Sequence, residues 1–296
     1  MKILMCVPNI SEGKDLKIVE QVVAEIRKVA GVKIQDVSSD PDHNRSVLTY
    51  LGEPEGVLAA TQAMARKTFE LIDMSKHHGS HPRMGAVDVV PFIPIRSVET
   101  GEAVEIARRF GKFVGQLGVP VFYYEDAATR PERKSLTDIR KGEYEALPGK
   151  LKSPEWAPDE GPAVFNPKSG GLVTGARFPL VAFNVNLRTD NLEIAQKVAK
   201  AVRHLNGGYR FVRAIGLALE DQKMVQVSMN LTHYQKTPIP RVFETIRSEA
   251  ARYGVSVAGT ELVGPVPLGA LEEVLKHFLQ VHDFSMDQII ENALIA

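Results

Sequence analysis

Residues 76–94, KHHGSHPRMGAVDVVPFIP, place His77, His78, His81 and Arg83 within seven positions, directly ahead of an apolar run. Imidazole titrates near neutrality, so a partly enclosed histidine can take a proton from one nitrogen and return it to another. His81 is the first candidate for that role. Pro82 after it restricts its backbone to extended conformations and fixes its direction. For any one of these histidines alone, structural hydrogen bonding in a loop is the plainer reading, but three with an arginine argue for a site. His77 and His81 also have the i, i+4 spacing of helix-borne metal ligands. Gly79 and Pro82 oppose a helix there and no adjacent Glu completes a zinc-protease pattern, so no metal is expected.

Other groups are weaker signals. Asn44 and Arg45, beside Asp40 and His43, could orient a polar substrate, since a planar guanidinium suits a carboxylate; a solvated turn explains them as well. Residues 9–13, NISEG, offer a strand-to-helix turn, with Asn9 at its start, whose N–H groups could hold an anion. Lys168-Ser169-Gly170-Gly171 lacks the full Gly-Lys-Ser/Thr pattern and a preceding strand, so it resembles a phosphate loop only superficially. Cys6 reads as a buried core residue.

These groups need a scaffold, and the pattern supplies one. Residues 3–7 read as a strand, 16–29 as an amphipathic helix, 32–37 and 46–51 as a hairpin, 54–71 as a helix and 86–93 as a buried strand. A further helix over 100–117 and strand over 119–124 extend that sheet. From 142 to 175 glycines and prolines interrupt every period, which predicts a long loop-rich connection, packed around the single Trp156. The strand, helix, strand, strand, helix, strand order then repeats over 180–187, a helix capped at Asp190 with Glu193, 212–219, 224–231, 239–253 and 255–262, with closing helices at 268–279 and 285–294. The predicted class is α+β: two ferredoxin-like βαββαβ subdomains, 1–180 and 181–296, with mixed or antiparallel sheets and a ligand cleft between them.

Lys+Arg and Asp+Glu both total 36 in 296 residues, which leaves no bulk drive toward nucleic acid or anionic membrane. One cysteine excludes an internal disulfide and suits a reducing compartment. The N-terminal apolar run is too short for a signal peptide and no stretch is long enough for a membrane span, so a cytoplasmic protein is expected.

Longer segments resemble the glutamate formimidoyltransferase (formiminotransferase) family: CVPNISEG at 6–13, NRSV at 44–47, LIDMSKHHGSHPRMGAVDVVPFIP at 71–94, GEYEALPGKL at 142–151, EWAPDEGPAVFNPKSG at 155–170, AFNVNL at 182–187 and LVGPVPLGAL at 262–271. The resemblance spans nearly the whole chain, and it implies transfer of a formimino group from N-formimino-L-glutamate to tetrahydrofolate, as in histidine degradation. It implies a homodimer and the single-function form without a cyclodeaminase domain. His81 matches the family's catalytic histidine. Gly161, Pro162, Ala163, Val164, Phe165, Asn166, Pro167, Lys168, Ser169 and Gly170 match its folate-binding segment. Arg45, Arg83, Asn44 and Asn9 are the substrate-binding candidates, with Lys168 a further carboxylate ligand. Animal members carry an acid where this chain has Ser38, so Asp36 or Asp40 must substitute, or the histidine's partner differs. A formyl donor, a non-catalytic folate-binding protein and, more remotely, a metal-dependent hydrolase are the alternatives.

Overall fold

A computed structural model of the chain describes residues 1–294 and divides it into two compact units, Met1–Arg177 and Phe178–Ala296. In the first, β1 (Ile3–Cys6) and β2 (Asn9–Ile10) are two halves of one strand line broken around Pro8. Helix α1 (Leu16–Arg27) follows, started by the Asp15 carboxylate on Lys17 N–H. The hairpin β3 (Lys33–Asp40) and β4 (Arg45–Gly52) leads to α2 (Pro54–Leu71), whose proline at the first position costs no hydrogen bond. Strand β5 (Val87–Arg96) then returns beside β1 and β2, giving the antiparallel order β5, β1/β2, β4, β3. That is the ferredoxin-like arrangement.

The sheet continues through α3 (Thr100–Gln116), β6 (Val121–Glu125), α4 (Leu136–Arg140), α5 (Glu143–Lys150) and β7 (Leu172–Ala176). β7 inserts between β5 and β6 and runs parallel to both. The predicted structureless connection over 142–175 is corrected here, since it holds both a helix and a central strand. β7 escaped notice because it is five residues long, buried along its whole length and contains Gly175, which reads as a break. Helices α1, α2 and α3 cover one face through Val19, Val23, Met64, Ile106 and Phe110 against Leu4, Tyr50, Val90 and Phe92. Met84, Val89, Phe122, Tyr124, Ile139, Leu147 and Val173 form a second cluster, with Trp156 and Phe165 packed on it. Each such side chain taken fully from water contributes about 1.5–3 kcal/mol.

The second unit repeats the theme with β8 (Val181–Leu187), α6 (Leu192–Val202), β9 (Val212–Leu219), β10 (Met224–Leu231), α7 (Ile239–Ala251) and β11 (Val257–Val263), in the antiparallel order β11, β8, β10, β9. Helix α8 (Leu268–Leu279) adds Ala270 to its core. Two expectations are corrected. The cap of α6 is Asn191, whose side chain accepts from Glu193 N–H, rather than Asp190. Residues 285–294 form short 3-10 turns, Met286–Gln288 and Ile290–Leu294, rather than a continuous helix.

Candidate active site

Three backbone segments converge at one end of the first sheet: the turn after β2, the β3–β4 tip and the loop that precedes β5. Asn44 fastens them. It sits at φ +47° and is buried, its Oδ1 accepts from Gly13 N–H at 3.0 Å, and its Nδ2 donates to the His78 carbonyl at 3.0 Å. Asparagine tolerates this left-handed backbone better than other non-glycine residues. Its own carbonyl accepts from His77 Nε2 at 2.9 Å. The packing is close enough that a Cβ on Gly13 would collide with the Asp40 carbonyl and the Arg45 backbone, and one on Gly79 with the His43 carbonyl. Ser11 adds two ties, from its N–H to the Ala86 carbonyl at 2.9 Å and from its hydroxyl to the Gly85 carbonyl at 2.8 Å.

His81 lies half-buried in this junction. Its pKa falls from the ordinary 6.5 to about 4, first because burial disfavours the imidazolium and then because Arg45, Arg140 and His43 add positive charge beside it. Only the Pro82 backbone, which has a carbonyl and no N–H, works the other way. The site therefore holds a neutral imidazole near pH 7. His43 faces it edge-on, with ring centroids 6.3 Å apart, and donates through Nδ1 to Asp40 Oδ2 at 2.6 Å. Asp40 also accepts from the N–H groups of Asp42 and His43, and these bonds hold its carboxyl below the usual range.

Arg45 opens β4 opposite Asp40, and burial lowers its pKa from the ordinary arginine value. Arg140 ends α4 and pairs with the buried Asp88 of β5, which also accepts from Met84 N–H at 2.8 Å. The Nε atoms of Arg45 and Arg140 are buried and have no hydrogen-bond partner among the described residues. Such unmet donors next to a neutral histidine are equipped to receive an anion.

Arg83 is committed elsewhere. It reaches Glu145 with two hydrogen bonds, at 2.9 and 2.6 Å, Glu143 with one at 3.0 Å, and His77 Nδ1 at 3.4 Å through Nε. Its backbone carbonyl accepts from Tyr144 N–H, so α5 clamps the histidine loop from behind. The segment 161–170 runs from the α3–β6 turn, where Gly161 lies against Gly115 and Val119, to the same loop, where Ser169 and Gly170 lie against Gly85 and Ala86. Asn166 shapes its end by accepting from Lys168 N–H and Ser169 N–H, and Lys168 Nζ donates to the Glu70 carbonyl at 2.9 Å. Residues 161–164 are exposed. An open groove of about 380 Å³ borders Ser169, lined also by Arg66, Phe69, Glu70, Leu117 and Val119.

The fold thus gathers His81, Arg45 and Asn44 beside the turn at Gly13, leaves Asn9 in β2 with its amide on the Val7 carbonyl, and ties Arg83 and residues 169–170 to the loop that carries the histidine. In the structure the Arg83 guanidinium and the Asn44 amide are occupied by protein groups. The sequence reading did not name Arg140 or Asp88 as site residues. Asp88 had a signal, being a lone acid inside the apolar run of β5; Arg140, in a five-residue helix 52 positions away, had none.

Comparison with known proteins accords with this architecture. The formiminotransferase domain, N-terminal subdomain, matches residues 3–177, and the formiminotransferase domain matches 182–295. The chain is 48% identical over 296 residues to glutamate formimidoyltransferase of Streptococcus pyogenes serotype M1, covering 99% of both chains. It is 46% identical over 297 residues to the protein of that name from Thermoplasma acidophilum, covering 99% of this chain and 98% of that one. It also matches the formimidoyltransferase-cyclodeaminase of Sus scrofa at 44% over 277 residues, 91% of this chain and 51% of that one. On family models that together span nearly the whole chain, and on relatives of matching length, the chain belongs to the formiminotransferase family and is a transferase.

Proposed function

We propose that the protein transfers the formimino group of N-formimino-L-glutamate to N5 of tetrahydrofolate, giving 5-formiminotetrahydrofolate and L-glutamate. The observation that carries this reading is a neutral, half-buried His81 set beside two arginines whose Nε donors have no partner among the described residues. Protonated on nitrogen, the formimino carbon is electrophilic. N5 attacks it, His81 takes the N5 proton, and the tetrahedral adduct expels the glutamate amine as His81 returns that proton. Positioned acid–base catalysis of this kind is worth roughly 10²–10⁴ in rate. Juxtaposing two bound reactants supplies more.

Arg45 is the proposed carboxylate ligand. Asn44 shapes the turn around it and Asn9 is a further candidate from β2, while Arg83 acts by holding the histidine loop against α5. Tetrahydrofolate is the proposed co-substrate, bound along 161–170. A homodimer in the cytoplasm with this reaction in histidine degradation completes the proposal, as the sequence resemblance to the formiminotransferase family implies.

The test is a spectroscopic assay of purified protein with tetrahydrofolate and either N-formimino- or N-formyl-L-glutamate. The expected product is 5-formiminotetrahydrofolate, with His81→Ala retaining folate binding and losing turnover. Faster reaction from the formyl donor would reassign the substrate. An unchanged rate in His81→Ala would overturn the role given to the histidine, and folate binding without product from either donor would make the chain a binding protein.

A further inference from the structure

Arg45 begins β4 and Arg140 ends α4, yet both add positive charge at His81, and they act on each other. The acids around them are already engaged. Asp88 accepts from Met84 N–H and from Arg140, and Asp40 accepts from two backbone N–H groups and from His43. Burial is the largest influence on Arg45 and works against its charge, and both arginines keep a buried Nε with no partner among the described residues. Two guanidinium groups and a histidine around one half-enclosed point, with donors left over, form a receptor for a single carboxylate.

Which carboxylate follows from the chemistry of the donor, so the inference rests on the reaction proposed above. The α-carboxylate shares its carbon with the leaving nitrogen, whereas the γ-carboxylate lies two carbons farther along. A carboxylate held beside His81 brings the leaving nitrogen beside His81 only if it is the α group. We propose that Arg45 and Arg140 together hold the α-carboxylate of the glutamyl donor beside His81. The proton that leaves N5 as the N5–C bond forms resides on His81 until the C–N bond to glutamate breaks. During that interval the imidazolium faces two guanidinium groups. The bound carboxylate offsets their charge, and it does so from the molecule about to receive the proton.

Proton NMR of the His81 ring, titrated against pH, reads this directly. The ligands are the N-acetyl derivatives of L-glutamate, L-glutamine (the γ-amide) and L-isoglutamine (the α-amide), named below by their amino acids, whose acylated nitrogen brings no ammonium charge to the site. With glutamate or glutamine the His81 midpoint should climb from about 4 toward 6.5, and with isoglutamine it should stay. Arg45→Gln, which breaks no ion pair among the described residues, should raise the ligand-free midpoint and weaken glutamate binding roughly tenfold or more. Arg140→Gln strands Asp88, so Arg140→Lys is run beside it to separate loss of the fork from loss of fold. An isoglutamine response equal to that of glutamate, or undiminished glutamate binding by Arg45→Gln, would overturn the cradle. The transfer assay on the same preparation separates the two ideas: a glutamate response without transfer would leave the cradle and remove the reaction, and transfer without the response would do the reverse.

Discussion

His43 and His81 stand edge to face, with ring planes at 72°, and the carboxylate of the pair, Asp40, bonds to His43. The acid enters this site through a second imidazole. Ser38, where the family resemblance implies an acid, is exposed on β3 two positions before Asp40. His43 therefore acts on His81 by position and charge. His43→Gln should lower kcat about tenfold, well short of the roughly 10²–10⁴ expected for His81→Ala. A loss as large as that of His81→Ala would make His43 the proton carrier.

The depressed pKa of His81 sets the pH dependence. A base with a midpoint of about 4 is already neutral at pH 5, so the acid limb of kcat/KM should lie near pH 4 rather than 6.5. Arg45→Gln should move it upward. The same shift bears on stability. Between pH 6.5 and 4 the unfolded chain binds a proton that the folded site resists, so His81 favours unfolding increasingly as pH falls through that window. Urea midpoints at pH 7 and 5 should accordingly fall less in His81→Gln than in the parent protein.

Asn44 supports three segments with one side chain and one carbonyl. Asn44→Ala leaves Gly13 N–H and the His78 carbonyl without these partners and should cost about 2–4 kcal/mol in denaturant unfolding. Gly13→Ala tests placement instead. Its Cβ must push the β3–β4 tip away, so activity should fall at least as steeply as in His43→Gln while most of the circular dichroism is retained.

Asp88 is buried at 2% exposure and pairs with Arg140. Asp88→Asn should destabilise the fold by about 3–5 kcal/mol, because it leaves a largely buried guanidinium without its counter-ion. Glu145, whose side chain is 62% exposed in its pair with Arg83, should cost under about 1 kcal/mol as Glu145→Gln. Thermal or urea denaturation of the two variants compares them.

The elements that position the site were legible because their signals are local. Pro54 started α2, and the β-rich run at 46–51 and the apolar run over 86–93 marked β4 and β5. Both ferredoxin-like units followed from element order. β7 was hidden because a short parallel strand buried on both faces has no period, and its Gly175 is required by the neighbouring Tyr124 carbonyl rather than by a turn. Arg83 was marked as a ligand for substrate because an arginine beside histidines looks available; its engagement by Glu143 and Glu145 depends on α5 folding back from 60 residues away. Neither Arg140 nor its coupling to Asp88 has a local signature, since only the assembled sheet brings them together.

The position of β7 also dictates when the loop of His81 is fully held. Val89 of β5 pairs with Val173, and the loop of His81 is pinned by Ala86 N–H on the Ser169 carbonyl and Gly171 N–H on the Met84 carbonyl. During synthesis the first ferredoxin-like motif is complete by Arg96, with the loop of His81 already tied to Asn44 and Ser11, yet the ties of that loop to Ser169 and Gly171 wait until about eighty more residues have emerged. Until then the nascent chain carries β5 with an open edge. The residues that lead into the strand closing this edge also pin the loop of His81, so one late event both protects the chain from edge pairing and completes the support of that loop.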